Sequence, residues 1–326
     1  MLDIRGLFTR EAIIARLLAL PPILTPAMDS VFTDRPNHPL PLVGKDFILS
    51  VANALPLVRR GAASVAAGPP AGTVDFYEPL PVRPNVSVTG AELNNLQLLD
   101  GRGMEAWAIE KTDFLRRRVR ATTEALCALA TSGKITYPVQ LEGGAFEDWF
   151  IDFGNILSVT PSKLWSAADA SMKDVMRLLV NMRKKIQMAG FASGALEIWA
   201  GEDAFNTLFG LAEALKSTAQ IRVEITGEGI QVGTFTVKLR SEQWVNPQTK
   251  AMTPYVPAKN VRMIAKDAGH RLPYCALDDL DAKLLAMPIF IKPIVTKDPS
   301  GYKLVAESKP FPVVNVNGIC EATVLS

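Results

Sequence analysis

Proline placement constrains this chain more than any other feature: 12 of its 23 prolines fall within the first 84 of 326 residues. Each proline fixes φ and removes a backbone donor, so this stretch cannot be mainly helical or form a central sheet. It admits one short amphipathic helix, over about 10–20, with Thr9 as N-cap and Pro21-Pro22 as terminator. The apolar run from Ala12 to Phe32 is no membrane span. Arg16 interrupts it, and Pro21, Pro22 and Pro26 break it well short of about 20 uninterrupted apolar residues. Glu11 and Arg16 likewise spoil a secretory signal. Further on, Asp46 to Ala52 and Thr73 to Glu78 read as strands around the small-residue tip Gly68-Pro-Pro-Ala-Gly72, and Pro79 to Val88 is a third extended piece. Residues 43–89 therefore predict a long hairpin behind an irregular arm, residues 1–42. A two-stranded hairpin is marginal alone in water. At about 3.3 Å per residue, arms of roughly 20 residues reach on the order of 60 Å, further than the radius of a domain this size. Arm and hairpin are expected to find their core on another subunit.

After residue 104 the texture becomes helical. Leu115, Val119, Thr122, Leu126 and Leu129 draw one stripe along a predicted helix from Asp113 to Ser132, stopped by Gly133. Arg116, Arg117, Arg118 and Arg120 crowd its N-terminal half, where cations oppose the macrodipole, which makes anions or carboxylates their expected partners. A solvated basic face is the plainer alternative. Ile135 to Leu141 and Trp149 to Phe153 predict a hairpin across Gly143-Gly144. Ser171 and Asp174 open a helix to Met188 with a capping box, and its apolar face includes Val175, Met176, Leu179, Met182 and Ile186. These methionines read as core, not as metal ligands. A strand at 196–200, a helix at 202–216 and strands at 220–226, 230–239, 260–265, 288–295, 302–307 and 313–325 complete an α+β chain.

Composition narrows the chemistry. The length allows about two domains at roughly 150 residues each. With 48% hydrophobic residues and 21% charged, the chain is not globally disordered. A formal charge of +2 argues against a dedicated nucleic-acid binder. Cys127, Cys275 and Cys320 are too scattered for a disulfide framework or a zinc module, and a reducing compartment is expected. His38 and His270 leave little for histidine-based catalysis. Gly227-Glu-Gly229-Ile-Gln-Val-Gly233 runs into a strand and lacks the dinucleotide spacing. Gly44-Lys45 is no phosphate loop, and Gly190-Phe-Ala-Ser193-Gly misplaces the serine of a nucleophile elbow. Asp278, Asp279 and Asp281, with Glu307 or Asp267, could hold a cation, but read as an acidic surface turn. No catalytic, cofactor or metal site is assigned.

Several stretches resemble one family. Phe76-Tyr-Glu-Pro-Leu-Pro-Val-Arg-Pro-Asn-Val-Ser-Val, the Arg116-Arg-Arg-Val-Arg helix ending at Ala128-Leu-Ala-Thr-Ser-Gly-Lys-Ile-Thr-Tyr, Tyr255-Val-Pro-Ala-Lys-Asn-Val-Arg-Met-Ile with Tyr274-Cys-Ala-Leu-Asp-Asp, and Gly301-Tyr-Lys-Leu-Val-Ala-Glu-Ser-Lys-Pro-Phe-Pro all occur in the order found in tailed-phage major capsid proteins. The chain is most similar to the lambda-type, or E-type, family of the Johnson (Hong Kong ninety-seven-like) fold. That resemblance implies an N-terminal arm over 1–42, an extended loop over 43–89, a peripheral domain over 90–160 and 272–326 with a spine helix, and an axial domain over 161–271.

The resemblance further implies hexamers and pentamers closing an icosahedral head around double-stranded DNA, with portal and scaffold proteins, and in some members a decoration protein, as partners. The chain would then reside in the virion capsid, assembled in the host cytoplasm without a membrane. Phe47, Ile48, Leu49, Arg59, Arg60, Phe76, Tyr77 and Arg83 would carry the loop's inter-subunit contacts. Arg116, Arg117, Arg118 and Arg120 would supply basic contacts from the spine helix. Neither Lys45 nor Lys134 sits in a motif for Lys–Asn isopeptide linkage, so no cross-link is expected. The alternatives are an encapsulin-like nanocompartment shell and, from a different class, an α+β metal- or small-molecule-binding enzyme built on the cluster at Asp278.

Overall fold

A computed structural model describes residues 4–44, 76–191, 194–215 and 221–326. The strand at 46–52, the first half of the strand at 73–78 and the glycine-proline tip between them lie outside the described residues, and so do Phe47, Ile48, Leu49, Arg59 and Arg60. The chain divides into two compact units, one drawn from Met1–Val43, Tyr77–Cys127 and Arg271–Pro312, the other from Gly44–Phe76, Ala128–His270 and Val313–Ser326.

The chain starts with helices α1 (Arg10–Ala19) and α2 (Pro26–Ser30). Thr9 Oγ1 accepts the Ala12 N–H at 3.2 Å, and the chain leaves α1 extended at Leu20, ahead of the proline pair. Short strands β1 (Asn37–His38) and β2 (Val43–Gly44) follow, then β3 (Phe76–Tyr77), which pairs with β2. Strand β4 (Asn85–Thr89) runs into α3 (Gly90–Leu96) and the 30-residue helix α4 (Gly101–Ala130). Helix α4 starts a dozen residues before the predicted Asp113. Asp100 Oδ1 accepts the Gly103 N–H at 2.7 Å and caps it, while Gly101 and Gly103 hide its first turn from a propensity reading. It ends at Ala130, two residues before the predicted Ser132, and the chain turns away at Gly133, which sits at φ +85° and where a Cβ would lie 2.5 Å from the Gly154 carbonyl oxygen.

The antiparallel hairpin β5 (Lys134–Gln140) and β6 (Phe146–Asp152) turns at Gly143-Gly144, as its sequence predicts. Beyond β7 (Leu157–Ser158) lies α5 (Met172–Met188), with the expected capping box between Ser171 and Asp174. Next come β8 (Leu196–Ala200), α6 (Glu202–Glu213), β9 (Val223–Thr226), β10 (Gly229–Val232) and β11 (Phe235–Leu239). The single strand expected over 230–239 is two, folded back at Gly233 with φ +60°. Then follow β12 (Gln243–Val245), β13 (Met252–Pro254), β14 (Asn260–Ala265), β15 (Tyr274–Cys275), β16 (Phe290–Lys297), β17 (Ser300–Glu307) and β18 (Ile319–Thr323).

In the second unit a seven-stranded mixed sheet, ordered β7-β18-β14-β8-β11-β10-β9, carries α5 and α6. Val175, Leu179, Met182 and Ile186 of α5 are fully buried with Ile198, Val237 and Met263 of the sheet. The first unit is built on the antiparallel sheet β16-β17-β4 and on parallel pairing of β1 with β15. Residues 4–43 bury apolar side chains in their own unit, whereas the sequence predicts that they find a core on another subunit. Ile4, Phe8 and Ile13 share one core with Leu115, Val119, Ile291 and Leu304 of their own unit, and Met28, Val31 and Phe32 are buried too. The short helices of the arm supply apolar faces that proline counting alone conceals.

Candidate assembly surfaces

The four arginines of α4 sit in the middle of a helix that begins at Gly101, so the macrodipole, which acts within the first and last turns, has little hold on them. Their partners are mostly internal. Asp113 receives Arg116 at 2.8 Å and Arg117 at 2.7 Å. Its partial burial alone would raise the carboxyl's pKa, but the two guanidinium groups outweigh that and hold it below the ordinary value. Arg116 also donates to the Pro21 carbonyl at 2.8 Å, and Arg120 to Thr25 Oγ1 at 3.3 Å, so both bind the arm. Arg117 and Arg118 are exposed, with Arg118 stacked 5.3 Å above the Phe114 ring. Of the four, only these two are exposed to solvent.

The described loop residues divide likewise. Tyr77 packs against Phe311 at 5.6 Å between ring centroids, and Arg83 reaches the buried Glu307 at 3.1 Å, so both serve their own unit. Phe76 is exposed. Glu307 is pushed above its ordinary pKa, chiefly by burial, against the pull of Arg83.

Three carboxylates gripping the arm escaped the sequence reading. Buried Glu124 accepts the Ala27 N–H at 2.6 Å through one oxygen and the Met28 N–H at 2.9 Å through the other, satisfying the first turn of α2. Arg16, buried in α1, makes a two-pronged pair with Glu105 at 2.6 and 2.7 Å and also donates to the Leu7 carbonyl. Asp29 binds Arg35 at 2.7 Å, and Arg35 donates to the Met28 and Phe32 carbonyls. The sequence held one clue: Glu124 is the lone charge between Arg120 and Lys134.

The acidic residues at 278–281 are engaged by lysines. Lys309 meets Asp278 at 2.8 Å, and Lys292 meets Asp279 at 2.6 Å and Asp281 at 2.7 Å. Among the described residues no group of three or more His, Cys, Asp or Glu side chains is placed to hold a metal ion. His270 is buried and accepts the Asn315 N–H at Nδ1, 3.3 Å away, and burial depresses its pKa to about 4. Burial pushes Cys275 and Cys320 up to about 12 and raises Cys127 well above the ordinary thiol value, which disfavours the thiolate at all three. No described helix is long and apolar enough to cross a membrane.

The sequence matches the model of the family described as phage major capsid protein E over residues 9–324. The chain belongs to this family. It is a structural protein of the phage capsid shell, and its place is the virion capsid. Its fold is that of the Hong Kong ninety-seven-like capsid proteins. Among solved structures it is similar to a prophage protein of E. coli CFT073 assigned as its capsid protein, at 14% identity and TM-score 0.62, covering 96% of this chain and 98% of that one. A phage-related protein from Bordetella bronchiseptica RB50 aligns at 8% identity and TM-score 0.52, over 97% of each chain. No curated protein matches.

Proposed function

We propose that the chain assembles into hexamers and pentamers of itself that close an icosahedral head around the double-stranded DNA of a tailed phage, and that it does so without catalysing a reaction. The observation that carries this reading is the capsid-family match over residues 9–324, almost the entire chain. Neither the nanocompartment nor the enzyme alternative has an observation of that kind behind it. Portal and scaffold proteins are the partners such a head requires, and a decoration protein would bind its outer face. In this reading residues 43–89 are the extended loop that reaches a neighbour, residues 90–160 with 272–326 the peripheral domain, residues 161–271 the axial domain, and residues 1–42 an arm. Exposed Phe76 continues the loop's contact surface, and Arg117 and Arg118 are the spine-helix cations left to meet carboxylates of a neighbour or phosphates of DNA. With a net charge of +2, attraction to DNA is local and weakens with salt.

Expression of the chain, alone and with a scaffold, followed by electron microscopy tests the proposal. Hollow icosahedral particles or rings are expected, and a strictly monomeric protein under both conditions would refute it.

A further inference from the structure

Between β15 and β16 the chain makes a tight loop with three of its leucines in water. Leu280 is 84% exposed, Leu284 54% and Leu285 44%. The loop is nevertheless held firmly. Buried Asp279 accepts the Asp281 N–H at 2.9 Å and the Ala282 N–H at 3.4 Å, and its other oxygen meets Lys292, which also holds Asp281. The Leu277 N–H donates to the Leu285 carbonyl at 3.3 Å and the Leu284 N–H to the Asp279 carbonyl at 3.1 Å, which closes the loop. Lys283 and Leu284 both lie in the left-handed region, at φ 56° and 54°. Residues with a β-carbon keep that conformation where their surroundings over-determine it, and such strain gathers at functional positions. A stiff, strained loop that fixes three leucines in solvent is suited to being covered.

A shallow apolar patch with basic neighbours lies in the second unit. Leu157, Met188 and Ala189 line an open groove of about 430 Å³ at the C-terminal end of α5, with Asn181, Lys184 and Lys185 around it. We propose that, in the shell, the Leu280 loop of one subunit docks into the α5 groove of a second copy of this chain. Leu280 then covers Met188 and Leu157, and Asp278 and Asp281 face Lys184 and Lys185. The charges complement one another: Asp278 and Asp281 keep side chains 65% and 69% exposed while each holds one lysine, so each has room for a second. Joining two different patches makes the contact heterologous, the type that propagates around a ring. The inference rests on the self-assembly proposed above and names the surfaces that meet.

The test is a disulfide. Leu280→Cys and Met188→Cys are combined in one chain, whose three native thiols are buried. Oxidised particles are expected to give covalent multimers on a non-reducing gel, whereas unassembled chains and particles of either single variant stay monomeric. Regular particles without the link overturn the contact, and so does linkage by Leu280→Cys alone, which would mean that the loops meet each other. Should the double variant fail to assemble, the two single variants doped into wild-type particles must yield a linked pair, and its absence is equally decisive. Leu280→Ser should keep the wild-type melting temperature and lower particle yield about tenfold, and unchanged yield counts against the contact. A wild-type chain that forms no shell at all is a separate result, visible before any cysteine is introduced, and refutes the assembly reading itself.

Discussion

Each of the two units is stabilised internally by different means. In the second, a regular sheet and a regular helix bury aliphatic side chains against one another: Val175, Leu179, Met182 and Ile186 against Ile198, Val237 and Met263. The first also has an apolar core, but much of its chain is irregular, and side chains of α4 bind that irregular part at named backbone groups: Glu124 at Ala27 and Met28, Arg116 at Pro21. Regular elements satisfy their own backbone and need only a surface to bury, whereas a proline-broken segment leaves N–H and C=O groups that something else must meet. The cores should therefore fail differently.

The largest effect belongs to the aliphatic core. Leu179→Ala removes a fully buried side chain from between α5 and the sheet and should cost about 4 kcal/mol, read as a fall in the urea midpoint. A loss under about 1 kcal/mol would mean that this core collapses around the gap and is less close-packed than its burial indicates.

Next comes acid. His270 lies in the second unit with its pKa lowered to about 4 by burial, against smaller opposing effects from a hydrogen bond with the Ala265 backbone and the charge of Asp267. The unfolded chain takes up this proton near pH 6.5 and the folded chain only near 4. Stability is therefore intact above about 6.5 and falls by on the order of 3 kcal/mol as the pH drops to 4. His270→Gln should flatten that part of the curve. Carboxylates with lowered pKa, such as Asp113 and Asp174, also lose stability in acid, so the difference between wild type and variant isolates the histidine. Identical slopes would show that the imidazole is not kept neutral.

The same division governs how much could be read from the sequence. Helix α5 was legible to the residue, because Ser171 and Asp174 cap it and its apolar positions recur at helical spacing. The β5–β6 hairpin was legible from Gly143-Gly144. The start of α4 was not, since two glycines in its first turn are locally unfavourable and only the Asp100 cap and tertiary packing hold them helical. Nor was the docking of the arm: proline placement correctly limits helix there, yet says nothing of a carboxylate nearly a hundred residues away that satisfies α2. At the candidate surfaces, residue type identified the basic helix, but which arginines turn inward depends on Asp113, Pro21 and Thr25, and that is long-range information. The sequence marks the Leu280 loop only as an acidic turn, because exposure and left-handed backbone at Lys283 and Leu284 have no sequence signature.

Glu124→Gln probes the polar grip on the arm. The amide keeps one acceptor oxygen and sets an NH₂ against one of the two buried N–H groups, leaving a donor facing a donor at a cost of about 2 kcal/mol. Amide exchange should accelerate over residues 26–32 and remain unchanged in β8 and β14. Acceleration in both places would show that the units open together and that the contrast between them has no energetic meaning.

The smallest effect sharpens the comparison most. Thr9 caps α1 from an exposed position with a single hydrogen bond to the Ala12 N–H, so Thr9→Ala should cost about 1 kcal/mol and Thr9→Ser much less. Helix α1 is also fastened by Ile13 in the core and by the Arg16–Glu105 pair. If the arm is bound point by point, loss of the cap should fray only the first turn, and exchange should rise near Ala12 while the amides of α2, held by Glu124, stay protected. If α2 loosens as well, the arm behaves as one cooperative segment, and the carboxylate contacts act through a shared folding equilibrium instead of as separate fastenings.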